Sequence, residues 1–214
     1  MRMKKFLVLA LSLVLIAIGF SSCEKPAADE EILSSARTLV ADAAQINDIF
    51  YGEGIPYAMG NDGSGGSIGN YSPADPLYLE KIGVKTVEDL KKMTSKVYSE
   101  GVCNVIFETK LSSVSDGTVY AGYAEYIELP NAGLSVYVKR LDYINAECEY
   151  KTDTLKILEK SSDTATLSVE VTLTNRGQTQ EKVKEFKMIK TEDGEWLLDS
   201  MTYIAWYEEE ADLQ

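Results

Sequence analysis

The chain has 214 residues, a formal net charge of −13 and no histidine. The lack of histidine excludes serine or cysteine triads that use it, and it excludes His-ligated metal sites. The acidic balance argues against a nucleic-acid partner, because phosphate binding needs clustered Lys and Arg and the basic stretches here are mixed with acids.

The N-terminus resembles a bacterial lipoprotein signal. Its basic start consists of Arg2, Lys4 and Lys5. The apolar run over residues 6–20 is typical of a signal-peptide core and is shorter than the about 20 residues of a membrane-spanning helix. It ends in Phe-Ser-Ser-Cys at residues 20–23, which is similar to a lipobox. We therefore expect a signal peptide over residues 1–22 and lipid on Cys23; the alternative is an ordinary secretory peptide cleaved at the same place.

Lipid on Cys23 would anchor the chain to a bacterial membrane, at the cell surface or on the periplasmic face. Residues 23–31 are polar, begin Cys-Glu-Lys-Pro and have no packing pattern, which favours a tether. Outside the cytoplasm, Cys103 and Cys148 can form a disulfide. The alternative is that both are small buried thiols.

The first half of the remaining chain favours helices. Apolar residues at three- and four-residue spacing predict a helix over residues 32–50, with Asp29 as its N-cap and Gly52 as its end. Residues 52–76 are rich in glycine and predict a long loop. Thr86 and Asp89 have the spacing of a capping box and predict a second helix, which Gly101 would stop or kink. The period of residues 102–111 favours a third helix, and a strand is the alternative.

The second half favours strands. Alternating residues from 119 predict a hairpin that turns at 130–133 and returns to 138. Further strands are predicted over residues 154–160, 164–174 and 181–190, and a last strand from Trp196 towards Trp206. The acidic tail, residues 208–214, is expected to be solvated.

This order of elements resembles the NTF2-like, or cystatin-like, superfamily. The residues that carry the resemblance are 186–199, where a late strand runs into an acidic Gly turn and a final strand led by Trp196. The resemblance implies a single α+β domain over residues 32–207. In it, the N-terminal helices would pack on one strongly curved antiparallel sheet of about five to six strands that closes a cone.

Aromatic and acidic side chains bracket the long loop. Together with Tyr203 of the last strand, they form the candidate ligand or partner surface: Tyr51, Glu53, Tyr57, Tyr71 and Tyr203. Long loops in compact domains are often functional, but the alternative is a surface loop that the tyrosines pack down. No cofactor or metal is expected, because the glycine-flanked segment 61–64 has one carboxylate, Asp62, and the loop lacks a phosphate-loop motif.

These features predict a non-catalytic lipoprotein that binds a small molecule, a glycan or a protein partner outside the cytoplasmic membrane. Two alternatives stay open. The resemblance includes the ketosteroid isomerases, so one alternative is a cone-type isomerase or dehydratase that uses a carboxylate such as Asp199 and strand tyrosines such as Tyr126. The other is a structural spacer in a cell-envelope assembly.

Overall fold

The computed structural model describes five parts of the chain: residues 28–57, 71–112, 125–129, 133–137 and 147–206. The predicted signal peptide, Cys23, most of the tether, the centre of the glycine-rich loop and the acidic tail lie outside these parts. Among the described residues, no helix is both long and apolar enough to cross a membrane.

The described residues form four helices: α1 (Asp29–Tyr51), α2 (Pro76–Ile82), α3 (Val87–Ser95) and α4 (Glu100–Lys110). They also form two four-stranded sheets. The small sheet has the order β1-β4-β3-β2, with β1 (Tyr71–Pro73), β2 (Leu111–Ser112), β3 (Tyr126–Leu129) and β4 (Gly133–Tyr137). The large sheet has the order β5-β6-β7-β8, with β5 (Glu147–Lys160), β6 (Thr164–Asn175), β7 (Gln178–Lys190) and β8 (Trp196–Leu198).

Helix α1 forms where the apolar spacing predicts it, and it contacts β5 and β8. Its buried stripe consists of Ile32, Ala36, Leu39, Val40, Ala43, Ile46, Ile49 and Phe50. The predicted end at Gly52 is confirmed, because its N–H donates to the carbonyls of Asn47 and Asp48. The predicted N-cap is wrong: Ala28 is the cap, and Asp29 begins the helix. Asp29, Glu30 and Glu31 lie in the first turn, where their negative charges interact favourably with the positive end of the helix dipole. The helix therefore includes residues 29–31, which were expected to belong to the tether.

Helix α2 lies at the end of the predicted loop and was not expected. Asp75 caps it by accepting hydrogen bonds from the N–H groups of Leu77 and Tyr78, and Pro76 occupies the first turn. Gly83 ends it with φ 70°, a conformation that glycine adopts readily. None of its residues is fully buried, and its apolar face is short, consisting of the partly buried Tyr78, Leu79 and Ile82.

Helices α3 and α4 confirm two predictions and correct a third. Thr86 and Asp89 form the expected capping box of α3. The strand alternative for residues 102–111 is wrong over α4, which is helical to Lys110. Gly101 does not end α3, which stops earlier at Ser95; instead it lies in the first turn of α4. The connection between the two helices pairs with β8, since Ser99 N–H donates to the Leu198 carbonyl.

The large sheet is an antiparallel meander whose inner face supplies much of the core. Five buried residues of β6 lie on that face: Ala165, Leu167, Val169, Val171 and Leu173. Strand β5 begins at Glu147, earlier than the predicted strand, and its pairing with β6 shifts register twice, which bends a strand. Strand β8 has three residues, so the expected continuation towards Trp206 is irregular chain.

The α+β class is confirmed, but the strands are divided between two sheets instead of forming the one expected sheet. The predicted hairpin is present over β3 and β4, which both belong to the small sheet, while its residues 119–124, 130–132 and 138 lie outside the described parts of the chain. There, β4 pairs with β1 and β3 pairs in parallel with β2. The difference arises because two short segments, which sequence periodicity does not mark as strands, supply the pairing partners of the hairpin.

Candidate functional site

A cleft of about 180 Å³ lies beside the C-terminal end of α1, and we call it the α1 cleft. Its described lining consists of Ala44, Asn47, Asp48, Gly52, Glu147, Cys148 and Tyr203. These residues come from the last turns of α1, the start of β5 and the chain after β8. The cleft therefore exists only where segments far apart in the sequence converge.

A buried hydrogen-bond network forms the wall behind the α1 cleft. Asn47, 3% exposed, donates from Nδ2 to Tyr150 OH over 3.1 Å and to Thr202 Oγ1 over 2.9 Å. Its Oδ1 accepts a bond from Tyr98 OH over 2.9 Å. Tyr150 OH donates in turn to the Thr202 carbonyl over 3.1 Å. Both amide hydrogens of Asn47 are thus used inside the protein.

The tyrosines of this network are structural donors at neutral pH. Burial raises the pKa of Tyr98 to about 12 and also raises the pKa of Tyr150. Because a raised pKa keeps a phenol protonated, each hydroxyl can donate to its partner across the physiological range. These donations are directed to Asn47 and to Thr202, so the network supports the cleft wall rather than facing a ligand.

A stacked pair of tyrosines borders the cleft. The rings of Tyr51 and Tyr203 lie 4.9 Å apart between centroids, with 23° between their planes. Lys110 Nζ lies 4.7 Å from the centroid of Tyr51 and 2.7 Å from Glu125 Oε1. Burial raises the pKa of both tyrosines, so they present neutral rings. The stack joins α1, the end of α4 and the chain after β8 at one place.

The turn after α1 positions Asp48 on the cleft wall. Its Oδ1 accepts a hydrogen bond from Glu53 N–H over 3.3 Å, and its carbonyl accepts one from Gly54 N–H over 3.0 Å. A Cβ atom on Gly52 would lie 2.4 Å from Asp48 Oδ1 and 2.7 Å from its Cα. Glycine is therefore required at position 52, because a side chain there would prevent the chain after α1 from packing against Asp48.

Tyr126 of β3 attaches the same turn to the small sheet. Its buried hydroxyl donates to the Ile49 carbonyl and accepts from Ile55 N–H over 3.1 Å. Its ring packs edge-on against Phe50, with centroids 5.8 Å apart. Burial raises the pKa of Tyr126, so the hydroxyl remains a donor. The resemblance offered Tyr126 as a catalytic donor, whereas its bonds here are to backbone.

The structure brings together two of the five predicted surface residues, Tyr51 and Tyr203. Glu53 is exposed in the turn beside the cleft. Tyr57 pairs with Ala74 in an isolated bridge. Tyr71 is only 3% exposed, so it lies in the core of the small sheet and not on a surface.

The sequence interpretation missed Asn47, Asp48 and Glu147, and it named Cys148 only as a possible disulfide partner. For Asn47 a signal was present, since it is a polar residue on the buried stripe of α1, between Ile46 and Phe50. Buried polar residues of this kind are normally held by specific partners. Glu147 and Cys148 gave no comparable signal, because the segment from 142 to 153 has no clear period.

Cys103 and Cys148 do not form a disulfide in the structure. Cys103 Sγ lies 3.4 Å from the Tyr98 carbonyl, and Cys148 Sγ lies 3.8 Å from the Ile204 carbonyl. Burial raises the pKa of both thiols. The two cysteines are therefore free thiols in separate places, which agrees with the alternative to a disulfide.

Asp199, the carboxylate suggested for catalysis, does not line the α1 cleft. It accepts a hydrogen bond from Ser99 Oγ over 2.6 Å and holds the start of α4 against β8. Across the described ranges, no group of three or more Cys, Asp or Glu side chains is placed to hold a metal ion.

Fold and site together define an α+β domain with a small cleft that has acidic, aromatic and thiol groups on its walls. Comparison with protein-family models gives no match, and comparison with curated proteins gives none either.

Proposed function

We propose that this chain is an exported, non-catalytic lipoprotein, anchored through Cys23, that binds a small molecule in the α1 cleft. The observation that supports the proposal is the cleft itself, because hydrogen bonds within the protein order the wall behind it. Asn47, Tyr98, Tyr150 and Thr202 satisfy one another behind it. A wall that is already ordered lowers the entropy lost on binding.

The size of the cleft favours a small molecule over a glycan chain or a protein. Pockets for drug-sized ligands have volumes of roughly 300–1,000 Å³, and the α1 cleft has about 180 Å³. A ligand of this size would place one functional group between the helix end and Tyr203. The proposal is non-catalytic because the buried phenols bond to Asn47 and Thr202, and because Asp199 bonds to Ser99.

The position of the cleft suits a protein that is anchored at its N-terminus. The start of α1 is attached to the far end of the large sheet, where Asp29 pairs with Lys160. There, Glu31 accepts bonds from Lys190 over 2.6 Å and from Trp196 over 3.2 Å. With a rise of about 1.5 Å per residue, Asn47 lies about 27 Å along the helix from Asp29. A tether that enters at Asp29 would thus leave the cleft facing away from the membrane.

We also propose that α1 and the large sheet form a variant of the NTF2-like cone. Three features support this: α1 lies against β5 and β8, β5 has two register shifts that bend it, and β7 and β8 form the expected closing hairpin. Gly194 in the acidic turn of that hairpin has φ 85°. The small sheet would be an addition to the cone.

Metabolic labelling tests the anchor. A bacterial host that expresses the full chain is fed an alkyne analogue of palmitate, and membrane fractions are probed for label. We expect label on the native chain and on Cys103→Ser, and none on Cys23→Ser. Label that persists on Cys23→Ser would contradict the anchor.

Thermal unfolding against a panel of small metabolites tests binding. A ligand at a hundred times its dissociation constant adds about 2.7 kcal/mol to the free energy of unfolding. Ala44→Phe would fill the cleft and abolish the stabilisation. Ala41→Phe is the matched control, because Ala41 is on the exposed face of α1. No stabilisation by any compound, or equal stabilisation of both variants, would overturn the proposal.

A further inference from the structure

We infer that the α1 cleft takes the positively charged end of a small organic cation, an alkylammonium or alkylguanidinium group. The inference rests on the proposed function and specifies the class of its ligand. It follows from which hydrogen-bonding groups of the lining are already used, from the charges that line the cleft, and from the aromatic ring at its border.

Two side-chain donors of the described lining, Asn47 and Cys148, are engaged inside the protein. Asn47 uses both amide hydrogens on Tyr150 and Thr202. The Cys148 thiol donates to the Ile204 carbonyl over 3.8 Å. A ligand that needs donors, such as a carboxylate or a phosphate, would therefore find few of them in the described lining. The cleft is therefore better matched to a ligand whose own N–H groups donate hydrogen bonds to the wall.

The charged groups of the lining are acceptors. Asp48 and Glu147 each contribute a carboxylate, and the described lining contains no Lys or Arg. A carboxylate has about four acceptor positions, so the bond from Glu53 N–H leaves Asp48 capacity for a ligand. Bonds between an ammonium or guanidinium group and a carboxylate are about twice as strong as neutral ones. The electrostatic preference of the cleft is thus for a cation.

The aromatic border adds to this preference. Tyr203 lines the cleft, and its ring stacks on Tyr51. Lys110 Nζ lies 4.7 Å from the centroid of Tyr51, the ring of the stack that is not part of the described lining. That lysine is compensated by Glu125 at 2.7 Å. A cation over or beside the Tyr203 ring would gain the same quadrupole attraction.

The main carboxylate is positioned before a ligand arrives. The Glu53 N–H bond holds Asp48 Oδ1, and the missing side chain at Gly52 allows that approach. A pre-positioned acceptor needs little ordering on binding. The small volume of the cleft, about 180 Å³, admits the charged head of a ligand and excludes a bulky one.

Ligand-observed NMR titration of the full-length chain in detergent micelles tests the inference with three probes of equal length: n-butylammonium, n-butanol and butyrate. We expect n-butylammonium to bind more tightly than the other two, with an affinity that falls as ionic strength rises. Asp48→Asn with Glu147→Gln should weaken n-butylammonium binding about tenfold, because charge-assisted bonds are lost. Asn at position 48 keeps an acceptor for Glu53 N–H, so the fold is retained.

Glu149→Gln is the control, since it removes the same charge from β5 at a position outside the described lining; it should leave n-butylammonium binding unchanged. Equal affinity for n-butanol and n-butylammonium, abolished by Ala44→Phe, would overturn the cation inference and leave the proposed function standing. Equal weakening by Glu149→Gln would also overturn it, because the attraction would then come from the overall charge. Binding in the α1 cleft, as proposed above, fails if the metabolite panel gives no stabilisation that depends on position 44.

Discussion

Asn47 Nδ2 donates a hydrogen bond to Thr202 Oγ1 over 2.9 Å, although 155 residues separate the two in the sequence. The bond joins α1, the first described element, to the chain that follows the last strand. Tyr98 and Tyr150 complete the connection from the α3–α4 segment and from β5. The wall of the α1 cleft is therefore also the place where the last turns of the first helix meet the chain after the last strand.

Replacing Asn47 with alanine should destabilise the protein strongly. The change removes three hydrogen bonds of the core, one each to Tyr98, Tyr150 and Thr202, and each such bond contributes roughly 0.5–1.5 kcal/mol. We expect urea unfolding to show a loss of about 3 kcal/mol in the free energy of unfolding. Asn104→Ala, on the exposed face of α4, is the control and should change it by less than about 0.5 kcal/mol. Equal effects would contradict the role given to the network.

Two glycine-to-alanine changes should act in opposite directions. Gly52→Ala places a Cβ against Asp48 Oδ1 and its backbone, so it should lower stability and displace the turn. Gly101→Ala meets no atom within 4 Å and replaces a helical glycine, so it should raise stability by up to about 1 kcal/mol. Thermal unfolding of the two variants gives the comparison. A Gly52→Ala protein as stable as Gly101→Ala would show that the turn adjusts without strain.

Tyr126→Phe should loosen the turn after α1. The Ile49 carbonyl and the Ile55 N–H both lose a partner, so we expect a loss of roughly 1–2 kcal/mol. Hydrogen exchange locates the effect: the Ile55 amide should exchange faster, while the Val171 amide in β6 keeps its relative protection. An Ile55 amide with native protection would mean that this hydroxyl does not hold the turn.

Glu31 should contribute to the loss of stability in acid. Its hydrogen bonds to Lys190, and secondarily to Trp196, lower its pKa below the ordinary value of 4.5. The stabilising contribution is therefore complete above that value and is lost as the pH falls through the lowered pKa of the folded state. Urea midpoints measured between about pH 6 and about pH 3 should fall less for Glu31→Gln than for the native chain.

Glu30→Gln provides the reference for this measurement, because Glu30 is the neighbouring acid and its side chain is 83% exposed beside Arg37. This change leaves the bond between Lys190 and Glu31 in place, so the loss of stability in acid that depends on that bond should remain. If Glu31→Gln loses stability in acid as steeply as the native chain, the bond to Lys190 does not set the titration of Glu31.

Local patterns predicted much of the secondary structure. The stripe from Ile32 to Phe50 is buried as one helix face. The capping box at Thr86 starts α3, and turn residues separate β5, β6, β7 and β8. These features depend on residues close in sequence, so their physical causes are visible without a fold. Short elements such as α2 and β1 were missed, because their stability comes from caps and from pairing with distant strands.

The candidate site was predicted less well. Tyr51 and Tyr203 were named for their positions at a loop and on a strand, and nothing local indicated that they would stack. Tyr71 looked like a surface tyrosine, yet pairing of β1 with β4 buries it. Asp48 and Glu147 lie on exposed positions of different elements, so their approach depends on how α1 crosses β5.

By itself, the sequence determined the α+β class, the amphipathic first helix, the approximate positions of the last four strands and the lack of histidine chemistry. Each follows from composition or from periodicity over a few residues. The tertiary structure alone decided the division into two sheets and the Asn47 network. It also decided the meeting of Asp48, Glu147 and Tyr203 around one cleft. The contacts of the network join residues that are between 51 and 155 positions apart, and loop closure and core packing, rather than local propensity, select them.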